Sequence, residues 1–138
     1  DIDNELESIM DMSISQIFND YGEKRFRLIE STFFRECTKL NDYIFATGGG
    51  IILDENNQLI LKNRGLTFFL DCSTDVIYQR IKNEIKSRPL ITDNYKKEIK
   101  KLYNNRYQLY KTNSKYIINT DCLSPEQIVV QIKKHLDA

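Results

Sequence analysis

The sequence predicts an α/β protein, a three-layer αβα arrangement around a doubly wound parallel sheet, and three observations lead there. Strand-like runs alternate with amphipathic stretches of helical period. The run Thr67-Phe68-Phe69-Leu70-Asp71 is nearly continuous in apolar residues, as a parallel strand covered on both faces should be. Capping and turn residues stand between the runs where such an alternation needs them.

In chain order, Ser13 followed by Gln16 is a capping-box pattern, and the helix it opens should end near Gly22, a left-handed terminator. A longer helix follows over about 23–40, with Phe26, Ile29, Phe33, Cys37 and Leu40 as its buried stripe. Tyr43-Ile44-Phe45-Ala46 is a short β-prone run, broken by Thr47-Gly48-Gly49-Gly50. Asp54 caps a helix reaching about residue 62, and Arg64-Gly65 turns the chain out of it. After the strand at 67–71, Ser73 or Thr74 caps a helix with Val76, Ile77 and Ile81 inward. Residues 86–95 are polar, contain Arg88-Pro89 and read as a loop. A helix over about 96–111 and a strand over 116–119 come next. Ser124-Pro125-Glu126-Gln127 places a cap, a first-position proline and a capping-box glutamine in order. The last helix then presents Ile128, Val129, Ile132 and Leu136 inward.

The 138 residues suit one domain, 1–138, without an internal repeat or linker. Hydrophobic residues at 41% and charged residues at 29% exclude a disordered or fibrous chain. Lys plus Arg and Asp plus Glu are 20 each, so nucleic acid and anionic membrane surfaces are not expected partners. No apolar run is long enough to span a bilayer, and the opening is acidic rather than leader-like. The expected location is the cytoplasm. Cys37, Cys72 and Cys122 are scattered, which argues against disulfides and zinc. His135, the single histidine, reads as an exposed helix-end residue, which disfavours Ser–His–Asp and multi-histidine chemistry.

Several residues can carry chemistry. Asp1-Ile2-Asp3 aims two carboxylates the same way if the segment is extended, a pair able to hold Mg²⁺ or orient a hydroxyl. Arg27 and Glu30 share a helix face. They form either a surface ion pair of little worth or a guanidinium fork held still to grip a carboxylate. The triple glycine can leave a sheet edge with positive φ and bring bare amides to a ligand, or it is a permissive turn. It does not match G-x-x-x-x-G-K-[ST]. Arg80, Arg88 and Arg106 could supply cations for a phosphoryl group or simply lie on the surface. The eight Tyr and seven Phe are spread through the apolar stripes and read as core.

Taken in order, Asp1-x-Asp3-x-x-x-Glu7, Ile17-Phe18, Gly22-Glu23-x-x-Phe26-Arg27-x-x-Glu30, Thr47-Gly48-Gly49-Gly50, Arg88-Pro89-Leu90 and Arg106-x-x-x-Tyr110 resemble the shikimate kinase family over essentially the whole chain. The resemblance implies a P-loop kinase-like fold and a monomer using ATP and Mg²⁺. The expected reaction phosphorylates the 3-hydroxyl of shikimate, on the route to chorismate and the aromatic amino acids. It implies Asp3 as contact and base for the shikimate hydroxyl and Asp1 as the Mg²⁺ acid. Arg27 and Arg106 resemble the carboxylate clamp, Gly48, Gly49 and Gly50 the backbone contacts, and Phe18 and Phe26 the pocket wall. Arg88 matches the lid arginine over the ATP phosphates, and Arg80 and Pro125 match adenine-flanking positions. The spacing from Arg80 to Arg88 is one residue longer than the family's. Residues of about 1–42 would be substrate-binding helices, 86–95 the lid loop and the rest core.

The family's opening strand, its Lys-bearing phosphate loop and its first helix have no counterpart in these 138 residues. The expectation is therefore a remainder of a longer kinase, inactive without that loop. The alternative is a non-catalytic shikimate-binding module lacking a nucleotide cradle. A gluconate kinase of the same fold is disfavoured by the Asp3, Arg27 and Arg106 set, which suits a carboxylated ring polyol.

Overall fold

In the computed structural model, which describes residues 1–84 and 93–136, the chain divides into two units, Asp1–Gly65 and Leu66–Ala138. The first unit is helical. Its opening helix α1, Ile2–Met10, is capped by Asp1, whose Oδ1 accepts the Asn4 backbone N–H at 3.0 Å. Ile2, Leu6 and Met10 recur at helical spacing and turn inward, with Ile2 and Leu6 buried. Asp11, in the left-handed region at φ 51°, ends the helix.

The next helix, α2, runs Ile14–Cys37. Its expected capping box is present: Ser13 Oγ accepts from the Gln16 N–H and Gln16 Oε1 from the Ser13 N–H. Glu7, part of the family string, accepts the Ile14 N–H at 2.8 Å and so joins α1 to the start of α2. Gly22 breaks α2 as expected, but not as a left-handed terminator. Its φ of 78° combines with ψ 164°, a conformation open essentially to glycine, and the chain then re-enters the helix.

Beyond the break the buried positions are Phe26, Glu30, Ser31 and Phe34. The expected stripe of Phe26, Ile29, Phe33, Cys37 and Leu40 is thus corrected. Ile29, Phe33 and Cys37 are half-buried, and Leu40 lies exposed beyond the helix end at Cys37. Phe26 and Phe34 pack with Ile2, Leu6, Ile17 and Ile51 into the core of this unit.

The β-prone run at 43–46 is not a strand. Its Ala46 carbonyl accepts the Ile2 N–H at 3.0 Å, but the run enters no sheet, and Ile44 is 92% exposed. The glycines lead instead into a 3₁₀ turn, Ile51–Leu53, and then α3, Glu55–Asn63. Asp54 caps α3 as expected, its Oδ1 accepting from the Asn56 and Asn57 N–H groups.

In the second unit, strand β1, Phe68–Asp71, pairs in parallel with β2, Tyr116–Asn119, with Phe68 opposite Tyr116 and Asp71 opposite Asn119. Among the described residues the sheet has these two strands, not the expected three. Leu70 is 48% exposed, so the expected cover on both faces of β1 is not found.

Between the strands run α4, Thr74–Glu84, capped by Ser73, and α5, Asp93–Asn113. α5 starts three residues before the expected 96, so positions 93–95 of the predicted loop are helical. The last helix, α6, is Pro125–Leu136, with the expected reciprocal Ser124–Gln127 cap. Of its predicted inward set, Ile128 and Ile132 are half-buried, but Val129 and Leu136 are exposed. His135 is exposed as expected and stacks on Tyr116, ring centroids 4.2 Å apart. No described helix is long and apolar enough to cross a membrane.

Candidate functional site

Two glycines, two residues apart, seat opposite charges in the first unit. A methyl group on Gly48 would meet Glu30 Oε1 at 3.3 Å and both Asp3 carboxylate oxygens at 3.4 Å. A methyl group on Gly50 would overlap the Arg27 guanidinium. The glycines thus make room for these side chains: an added methyl at Gly48 would press lightly on two carboxylates, and one at Gly50 would displace the guanidinium. The expected positive φ is corrected: among the described glycines it occurs only at Gly22, and Gly50 sits at φ −82°, ψ −17°.

The Arg27–Glu30 pair is not a surface ion pair. Glu30 is 1% exposed, and its Oε2 accepts from Arg27 Nη1 at 2.7 Å. Arg27 Nε is buried without a hydrogen-bond partner, its nearest carboxylate being Glu23 Oε1 at 3.7 Å. Phe18 and Phe26 pack together with ring centroids 4.4 Å apart. The Arg27 guanidinium carbon lies 5.7 Å from the first ring centre and 5.1 Å from the second. The fork is thus held by a buried carboxylate, two rings and a glycine, and one of its five N–H donors is spent on Glu30.

Asp3 lies in the first turn of α1, half-buried beside Gly48, and accepts no hydrogen bond from a described residue. Asp1 does not share its direction. Because the segment is helical rather than extended, the alternating aim expected of Asp1 and Asp3 is lost, and Asp1 is an exposed cap. Gly49 lies between the two seating glycines and is partnered within the fold.

The second unit carries Arg80, Arg106 and Pro125. Arg80 reaches the turn after β2, donating to the Thr120 carbonyl at 2.7 Å and to Thr120 Oγ1 at 3.3 Å. Thr120 in turn donates to the Asp71 carbonyl, so this arginine ties α4 to the carboxyl ends of both strands. Pro125 is the exposed first residue of α6.

Arg106 is half-buried on α5, has a partner of its own, and lines a cavity of about 420 Å³ with Ile77, Ile81, Tyr103 and Tyr110. One turn before it, Tyr103 donates to Asp71 Oδ1 at 2.9 Å. Burial first, and then that carboxylate, push the Tyr103 phenol up to about 12. Burial likewise raises Cys37 and Cys72, which makes neither a ready nucleophile. Arg88 and most of the predicted 86–95 lid loop lie outside the described residues.

Among the described residues no cluster of three or more His, Cys, Asp or Glu could cage a metal ion. Mg²⁺ is commonly held by one or two carboxylates together with water and substrate phosphates, and the exposed Asp1 carboxylate fits a single contact of that kind.

The residues missed in the sequence are Ser31 and Asn57, both buried. Ser31 stands in the polar string Glu30-Ser31-Thr32, and Asn57 in the polar string Glu55-Asn56-Asn57-Gln58, each of which reads as a solvated helix face. Neither carries a periodic signal.

The family model for shikimate kinase matches residues 1–137. A shikimate kinase of Streptococcus thermophilus is 39% identical over 136 residues, spanning 96% of this chain and 83% of that protein. One from Thermodesulfovibrio yellowstonii is 36% identical over 138 residues, 99% of this chain and 79% of the relative. Among solved structures, shikimate kinase from Acinetobacter baumannii in complex with shikimate aligns over 98% of this chain and 75% of its own, at 30% identity and a TM-score of 0.83. The architecture is therefore the αβα P-loop kinase fold expected from the sequence.

Proposed function

Because this chain belongs to the shikimate kinase family, we propose that its reaction moves the γ-phosphoryl group of ATP to the 3-hydroxyl of shikimate. The observation that carries this reading is the Arg27 guanidinium, held at 2.7 Å by buried Glu30 and seated on Gly50. A planar cation fixed in that way suits two-point recognition of a carboxylate. Asp3, beside Gly48, accepts from a ring hydroxyl and takes its proton as the hydroxyl oxygen bonds to the γ-phosphorus and the bond to the bridging oxygen breaks, releasing ADP. Phe18 and Phe26 wall the carbon ring, and the narrow glycine turn brings backbone to within contact of it.

The remaining assignments rest on the family pattern. Arg106 is a second carboxylate ligand, Arg88 offsets charge on the transferred group, and Arg80 and Pro125 flank the adenine. Asp1 would hold Mg²⁺, and the ion when bound would neutralise phosphate charge. The same reading takes 1–138 as one catalytic domain of a cytoplasmic monomer.

A coupled assay of ADP release tests the proposal. It uses the chain as given and the chain preceded by a relative's G-x-x-x-x-G-K-[ST] segment. Shikimate-dependent turnover in the extended chain is the expected result. Turnover with another carboxylated polyol but not shikimate overturns the substrate. Shikimate binding without turnover in either chain leaves the non-catalytic binding module instead.

A further inference from the structure

Asn57 is fully buried, at 0% exposure, although the residues before it, Glu55 and Asn56, are exposed. Its amide spends both donors on two different elements. One goes to Ser31 Oγ on α2 at 2.8 Å, the other to the Ile51 carbonyl in the 3₁₀ turn at 3.1 Å. Next to it, Gln58 Nε2 donates to the following carbonyl, Ile52, at 2.9 Å. The first turn of α3 thus grips two consecutive carbonyls of the segment that follows the glycines.

The grip passes on to the glycines. The Ile51 N–H donates to the Gly48 carbonyl at 3.3 Å, and the Leu53 N–H to that of Gly50 at 3.0 Å. Gly48 in turn abuts Asp3 and Glu30, and Gly50 abuts Arg27. At the other end, Ser31 is the residue after Glu30, which holds Arg27. The contacts close a ring from Asn57 through Ile51, Gly48 and Glu30 to Ser31 and back. Burying an amide with one oxygen, Oδ1, left without a partner is costly, and an apolar residue would fill the place at less expense.

We propose that Asn57, with Ser31, is a positioning residue. It sets the distance between the glycine turn and α2, and thereby fixes the Arg27 fork and Asp3 in the geometry that binds shikimate. The role rests on the reading of the site given above. Asn57 touches no reacting atom and acts through the turn.

The test uses the full 138-residue chain, labelled with ¹⁵N, and two variants, Asn57→Ala and Ser31→Ala. Calorimetry at low temperature measures shikimate affinity while circular dichroism confirms that each variant is folded. Affinity should fall by about tenfold in Asn57→Ala and by about threefold in Ser31→Ala, as losses in supporting shells do. Without ligand, the amide signals of Gly48 and Gly50 should shift and broaden, while that of Ile118 in the second unit stays in place. A residue that only stabilised the fold would lower the melting temperature and leave those glycine signals and the affinity unchanged, and that result overturns the inference.

Ser31→Ala leaves the bond from Asn57 to Ile51 intact and decides the matter if Asn57→Ala does not fold. Failure of the unsubstituted chain to bind shikimate is a separate result. It overturns the reading of the site, and the inference with it.

Discussion

Gly50→Ala should weaken shikimate binding by more than about tenfold, or ~1.4 kcal/mol, while leaving the chain folded. The backbone does not oppose the change. Gly50 lies at φ −82°, ψ −17°, where alanine is comfortable, and removing a glycine lowers unfolded-state entropy by an amount worth about 0.4–1 kcal/mol. The three atoms nearest an added methyl all belong to the Arg27 guanidinium, the far end of a flexible side chain that can swing aside. It can do so only by leaving Glu30, so the substitution converts a preorganised fork into a mobile one. Gly65→Ala is the matched control, because an added methyl there meets nothing. Calorimetry on the two variants reads the difference. Equal affinities would mean that Arg27 does not grip the ligand.

The second large effect is expected from Glu30→Gln, which keeps the shape and removes the charge. Glu30 is 1% exposed, and its carboxylate holds a guanidinium whose Nε already lacks a hydrogen-bond partner. Breaking a fully buried ion pair costs about 3–5 kcal/mol. Here the Arg27 side chain is 26% exposed and recovers part of its hydration, so a loss of about 2 kcal/mol is expected. Urea unfolding should show the midpoint falling with the slope unchanged. Shikimate affinity should fall with it, because the fork loses its orientation. An unchanged midpoint would return the pair to the status of a surface ion pair.

Both effects depend on features that were unevenly visible in the sequence. The caps at Ser13, Asp54 and Ser124-Pro125 were legible because capping is a local contest between a side chain and the nearest backbone donors. The parallel pair was legible from the apolar run before Asp71. The segment at 43–46 was misread because β-propensity makes a strand only where a neighbour supplies a ladder, and none does so among the described residues.

The stripe on α2 was misread for a different reason. A charged residue, Glu30, occupies the middle of the buried face formed by Phe26, Glu30 and Phe34, so the hydrophobic pattern shifts toward Ile29 and Phe33. Asp1 and Asp3 look paired when counted as a strand, yet Asp1 with Ile2, Leu6 and Met10 makes a capped helix that separates them.

Within the site, Arg27, Asp3 and the glycines were legible as residue types in order along the chain. Close approach at Gly48 and Gly50, and the buried amide of Asn57, are properties of packing between distant segments, which no local pattern records.

On the function proposed above, Asp3, Arg27 and the glycine turn form one shikimate-binding surface. Titrating shikimate into the ¹⁵N-labelled chain tests it directly. Saturable shifts are expected of the Gly48, Gly49 and Gly50 amides together with the Arg27 Nε–H signal, which gains the acceptor it lacks. Saturable binding that leaves all four signals unmoved, or no binding at any shikimate concentration, would contradict it.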